Sequence, residues 1–200
     1  MDLELYYEFA SQYSYPAVML AENAAAARGL SLAYRPFLLG PVLAAQGYTK
    51  PPFIQYAVKG EYVWRDLERL CSEAGLAWRR PSVFPRKSVL AARVALSGVD
   101  EGWCGSFSRR VYELNFVDDR DIEDEAAIRG VLSELGLSAD AVLARALSED
   151  NRARLKAQTD HALKIGVFGA PMFVVGSELF WGQDRMRQAL DWAERHKSHP

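Results

Sequence analysis

The chain has 200 residues, half of them apolar, with 24 basic against 26 acidic side chains and a net charge of −2. That length and apolar content suffice for one domain with a substantial core, or a domain with a large insertion. The near balance of charge leaves no global field to draw the chain to nucleic acid or to a membrane surface. No apolar run approaches the ~20 residues of a spanning helix, and the opening Met1-Asp2-Leu3-Glu4 carries acid where a secretory signal carries base. The expectation is a soluble cytoplasmic protein. Its two cysteines, Cys71 and Cys104, are too few and too far apart for a disulfide framework or a zinc site and read as small buried hydrophobes.

Leu3 to Phe9 reads as an opening strand that breaks directly into a helix from Tyr15 to Arg28, closed by Gly29. Pro16 falls in the first turn, where its missing N–H costs nothing. Ser31 to Phe37 alternates like a second strand, parallel to the first. Between the first strand and the helix lie two hydroxyls, in Ser11-Gln12-Tyr13-Ser14. A helix start presents unpaired N–H groups and a positive dipole end, which makes this turn a place for an anion.

Gly40 to Pro52 has room only for a short helix and a loop. Helical periodicity then dominates about 120 residues: Tyr62 to Ala74, Arg86 to Leu96, Trp103 to Phe116, Glu123 to Leu135, Ala141 to Leu147 behind Ser138, and a helix opened by Ser148 that runs to Ile165. Sheet returns with Pro171 to Val175 and Glu178 to Trp181 around the two-residue turn Gly176-Ser177, and Asp184 to Arg195 is a final amphipathic helix. Strand-helix-strand, a helical block, then strand-strand-helix is the order of an α/β thioredoxin-like fold with a large all-helical insertion. The boundaries are 1–40 and 166–200 for the core and 41–165 for the insertion, the whole forming a single unit.

Three motifs coincide on this frame. Ser11-Gln12-Tyr13-Ser14 occupies the place of the Cys-x-x-Cys motif of DsbA-type oxidoreductases. Gly166-Val167-Phe168-Gly169-Ala170-Pro171 is similar to the loop in which that superfamily carries a cis proline, and Phe180-Trp181-Gly182-Gln183-Asp184-Arg185 follows the hairpin. Together they resemble the kappa-class glutathione transferases and, more closely, the 2-hydroxychromene-2-carboxylate isomerases. A serine at position 11 cannot form a mixed disulfide, so a nucleophilic sulfur has to arrive with a ligand.

The resemblance therefore implies glutathione as cofactor and Ser11 as the catalytic hydrogen-bond donor to its sulfur. Gly182, Gln183, Asp184 and Arg185 would bind the γ-glutamyl end, the backbone of Ala170 the tripeptide, and Lys59 the glycyl end. A small aromatic or chromene carboxylate would be the substrate, with Tyr48, Thr49 and Arg86 beside it. Tyr48, Trp64 and Phe84 are candidates for an aromatic wall, and a homodimer is implied.

Each residue also has a plainer role open to it: Ser11 as a helix cap, Asp184 as a favourable helix-start acid, Lys59 and Arg86 as solvated charges. Where the isomerases commonly read Gly-Asn-Thr-Pro-Pro, this chain has Gly47-Tyr48-Thr49-Lys50-Pro51-Pro52, a family lysine is replaced by Ala44, and the family proline is replaced by Gln12. Two further outcomes therefore stay open, a kappa-like transferase and a thioredoxin-like binding protein without catalysis.

Overall fold

The structure, a computed structural model, describes residues 3–196. In chain order it runs β1 (Leu3–Tyr7), α1 (Ser14–Ala26), β2 (Leu32–Pro36), α2 (Leu39–Ala45), α3 (Pro52–Gln55), α4 (Ala57–Glu73), α5 (Val89–Ser97), α6 (Cys104–Phe116), α7 (Glu125–Glu134), α8 (Ala139–Leu147) and α9 (Glu149–Lys164). There follow β3 (Met172–Val175), β4 (Glu178–Trp181), a 3₁₀ turn at Gln183–Arg185 and α10 (Met186–Arg195). The strands form one sheet in the order β2-β1-β3-β4. β1 is parallel to β2, while β3 is antiparallel to both β1 and β4. This is a thioredoxin-like α/β fold carrying a helical insertion between β2 and β3.

β1 is central, and its sequence shows why. Leu3, Leu5 and Tyr7 point into a large core shared with α1, α5, α6 and α10, and Tyr6 points the other way into a smaller core with Phe37, Val42, Ala162 and Met172. A strand covered on both faces reads as a continuous apolar run rather than as an alternation. The insertion supplies the second cover through α2 and α9. It also supplies α6, whose Tyr112 and Phe116 stack with Phe9 and Tyr15 beneath the start of α1. The strand-to-helix turn thus rests on an aromatic floor contributed jointly by the thioredoxin-like core and the insertion.

Two boundaries differ from the sequence expectation. α4 begins at Ala57 and not at Tyr62, running through Gly60. A Cβ there would lie 2.4 Å from the Phe53 carbonyl oxygen, so this glycine lets α3 and α4 approach. α5 begins at Val89, because Arg86 to Ser88 stay outside the helix and hydrogen-bond across the core. The hairpin turn is at Gly176-Ser177 as expected, with Val175 paired to Glu178 and Gly176 at φ 62°. Ser148 caps α9 by accepting the Asn151 N–H at 3.2 Å, whereas Ser138 precedes α8 without a side-chain cap. Among the described residues no helix is long and apolar enough to cross a membrane. Cys71 and Cys104 are buried and free, and burial pushes their thiols up to about 12 and about 11.

Candidate active site

The turn from β1 into α1 is built by its own backbone. The Ser11 N–H donates to the Glu8 carbonyl at 2.9 Å, the Ser14 N–H to the Ser11 carbonyl at 3.2 Å and the Tyr15 N–H to the Gln12 carbonyl at 3.2 Å. Gln12 and Tyr13 keep N–H groups with no protein acceptor, the orphan donors that a helix start offers to an anion. The Ser11 side chain is buried and donates its hydroxyl to the Ala170 carbonyl at 2.9 Å. Ala170 precedes Pro171 across a cis peptide, so the first and second motifs meet face to face. The Ala170 N–H has no protein acceptor and faces the same cleft.

Two cavities open at this junction and share Tyr13, Ala170 and Trp181 as a common wall. The larger, about 850 Å³, has mixed polar and apolar walls and holds Gly182, Gln183, Asp184 and Arg185 together with Asp66 and Tyr62. The smaller, about 310 Å³, is mostly apolar and holds Ser11, Gln12, Tyr48, Lys59, Leu43 and Phe168. Asp184 and Arg185 are exposed and 3.1 Å apart, so one carboxylate and one guanidinium sit side by side at the start of the last helical segment. Gly182 sits at φ 107°, a backbone conformation that favours glycine. At Gly169 an added Cβ would lie 2.5 Å from the Trp181 indole nitrogen, so its absence gives the indole room.

A family model for the DSBA-like thioredoxin domain matches residues 2–191. The chain belongs to that family. Among curated proteins, it is 27% identical to a 2-hydroxychromene-2-carboxylate isomerase of Sphingobium xenophagum, over 92% of this chain and 93% of the relative. Among solved structures, a 2-hydroxychromene-2-carboxylate isomerase superposes with a TM-score of 0.88 at 25% identity, covering 98% of this chain and 95% of that one. A probable DsbA oxidoreductase from Streptomyces coelicolor shares the fold, with a TM-score of 0.76 at 20% identity over 100% of this chain and 92% of its own. The isomerase relatives support an enzyme.

Within this DSBA-like chain, then, the structure gathers Ala170, Gly182, Gln183, Asp184 and Arg185 around the larger cavity, and Ser11, Tyr48 and Lys59 around the smaller one, which shares Ala170 with it. Thr49 is exposed on the loop and does not line that cavity. Arg86 has a structural place instead of the one considered for it. Its guanidinium is buried, bonds Asn115 Oδ1 at 2.8 Å and Asp119 Oδ1 at 2.5 Å, and so is not free for a substrate acid. Trp64 and Phe84 pack edge to face, with ring centroids 4.9 Å apart, and line a separate cavity of about 370 Å³. Of the three aromatic candidates, only Tyr48 faces Ser11.

Some contributors were not singled out from the sequence. Tyr13 and Trp181 divide the two cavities, and the Tyr13 hydroxyl is held by Asp66 at 2.9 Å. Gln46 ties α2 to the cis-proline loop through the Phe168 carbonyl at 2.9 Å. Glu8 lies directly under the turn and is buried. Its signal was available: an acid inside the run Leu5-Tyr6-Tyr7-Glu8-Phe9 has no solvated face to occupy.

Proposed function

We propose that this protein is a glutathione-dependent isomerase of the 2-hydroxychromene-2-carboxylate type. The observation that carries the reading is the placement of Ser11: a hydroxyl in the place of a redox sulfur, lining the smaller apolar cavity and bonded to Ala170, which walls both that cavity and the larger one of tripeptide size. The donors present suit glutathione. Arg185 and the N–H groups of the 3₁₀ turn match its γ-glutamyl carboxylate, Asp184 its ammonium, and the Ala170 N–H its backbone as an added strand would. Lys59, which has no ion-pair partner among the described residues, is a cation for the remaining carboxylate.

Bound there, glutathione would supply a thiol nucleophile for reversible addition to the conjugated substrate. The protein's residues prepare that chemistry. The Ser11 hydroxyl has a single hydrogen, which turns from the Ala170 carbonyl toward a sulfur lying in the cleft. With the Gln12 and Tyr13 N–H groups it favours the charged form of a thiol whose ordinary pKa is about 8.5. Trp181 and Phe168, with ring centroids 5.2 Å apart, cover the apolar side and keep water from it. Tyr48 offers a flat face to an aromatic ring.

The test is to incubate the protein with glutathione and 2-hydroxychromene-2-carboxylate and follow both. Isomerisation that needs glutathione and leaves its concentration unchanged is the expected result. Stoichiometric loss of glutathione would make the protein a transferase, and no glutathione binding by calorimetry would leave a non-catalytic binding protein.

A further inference from the structure

We propose that Glu8 is a positioning residue whose buried carboxylate holds the Ala10–Ser11 turn, so that its protonation state sets how firmly the Ser11 hydroxyl is presented to the cleft. The geometry behind this is a set of four hydrogen bonds. Glu8 Oε2 accepts the Ala10 N–H at 2.9 Å, and Oε1 accepts the Ser88 hydroxyl. The Glu8 carbonyl accepts the Ser11 N–H at 2.9 Å and the Tyr112 hydroxyl at 2.8 Å. One residue, 5% exposed, thus ties the end of β1 to α6, to the segment before α5 and to the two residues that carry the site.

The surroundings leave this carboxyl without a cationic partner of its own. It borders a cavity of about 390 Å³ that adjoins the Ser11 cavity through Ala10, Leu39 and Phe53. The charged groups of that cavity are Arg86 and Lys87, from the segment before α5, and Glu123, from the segment before α7. Arg86 is occupied by Asp119, and Lys87 pairs with Glu123 at 3.2 Å. From α6 the facing titratable group is the Tyr112 phenol, whose burial pushes its own ionisation well up. Desolvation lifts the Glu8 carboxyl to about 7, against the opposing pull of the Ser88 and Ala10 hydrogen bonds.

The two forms differ in what they hold. An ionised Glu8 accepts at both oxygens, and charge-assisted bonds of this kind are roughly twice as strong as neutral ones. A protonated Glu8 has a hydrogen to donate, for which the Ser88 oxygen is the adjacent acceptor. The Ser88 hydroxyl then turns away, and the Ala10 N–H keeps only a neutral acceptor. The turn carrying Ser11 is held tightly above the midpoint and loosely below it.

The consequence for glutathione rests on the function proposed above; the positioning itself does not, and the experiment separates them. The amide ¹H–¹⁵N shifts of Ala10 and Ser11 are followed from pH 5 to 9 in the free protein and in Glu8→Gln, and glutathione affinity is measured by calorimetry across the same range. Both amides are expected to titrate together with one midpoint near 7 in the parent and to stay flat in Glu8→Gln. The ratio of parent to variant affinity, which cancels the thiol's own ionisation, should fall several-fold from pH 8 to pH 6. Flat amides in the parent, or the same titration in the variant, would overturn the proposal. Co-titrating amides with no glutathione binding at any pH would uphold the positioning role and remove the glutathione reading. Should Glu8→Gln not fold, Ser88→Ala provides the second measurement. Removing a bond that favours the charged form should raise the midpoint, and an unmoved midpoint counts against the proposal.

Discussion

The Ser11 hydroxyl donates at 2.9 Å to the carbonyl of Ala170, a residue 159 positions later in the chain. One short contact therefore joins the β1–α1 turn to the cis-proline loop and fixes the floor of the cleft. Replacing Ser11 by alanine removes the only donor to that carbonyl among the described residues but leaves the backbone bonds of the turn intact, so the stability cost should be about 1 kcal/mol. Catalysis should suffer far more, because loss of one donor aimed at developing negative charge commonly costs a hundredfold or more in turnover. Steady-state kinetics alongside thermal melting test the split; unchanged kcat with a folded variant would take Ser11 out of the mechanism.

Arg86 gives the opposite pattern. It is 7% exposed and bridges Asn115 and Asp119, so Arg86→Leu leaves polar partners without their donor inside the fold. A loss of about 3 kcal/mol of stability is expected, read as a shift of the urea midpoint, with KM for the proposed carboxylate substrate unchanged at temperatures where the variant is folded. The Asp119 carboxyl is held down to about 2, first by the Ser82 N–H and then by Arg86. Its folded pKa is thus depressed, so its contribution is present above the ordinary carboxylate range and is lost as pH falls toward 2. A raised KM with normal stability would return Arg86 to the substrate.

These two residues mark how far the chain could be read without its structure. Ser11 was legible because its neighbours carry a local pattern: strand, hydroxyl turn, helix, and a matching Gly-Ala-Pro loop far downstream. The parallel first pair and the closing hairpin were legible for the same reason, since the strands at either end of the chain show their period and their turn glycines directly. Arg86 was not legible, because an arginine's partners are chosen in three dimensions and Asn115 and Asp119 lie about thirty residues on. Gly60 is a related case: nothing in the sequence around it names Phe53 as a neighbour, while in the fold it marks the place where two helices touch. Glu8 lay in between, visible as an acid in an apolar strand but silent about what it holds.

Gln12 replaces the family proline, and the structure shows what accompanies the change. The side chain is 4% exposed and its Nε2 has no hydrogen-bond partner. A buried donor left unmatched costs about 1–3 kcal/mol, so Gln12→Met, similar in length and without the amide, should raise stability by about 1 kcal/mol. Chemical denaturation of the two proteins measures this. A loss of stability of similar size would mean that the amide is satisfied within the fold after all.

Glu8 also makes a prediction about stability alone. Its carboxyl ionises at about 7 in the fold against 4.5 ordinarily, chiefly because burial disfavours the charge. Between those two values the folded chain keeps a proton that the unfolded chain has released, so stability falls as pH rises through this window and the loss is complete above 7. At 1.36 kcal/mol per pH unit the full loss is on the order of 3 kcal/mol as an upper bound. Glu8→Gln carries no such term. Urea denaturation of both proteins at pH 5, 6, 7 and 8 should therefore show the variant gaining on the parent at each step, with the gain levelling off above pH 7. Curves that run parallel over the whole range would mean that the carboxyl ionises alike in the folded and unfolded chain.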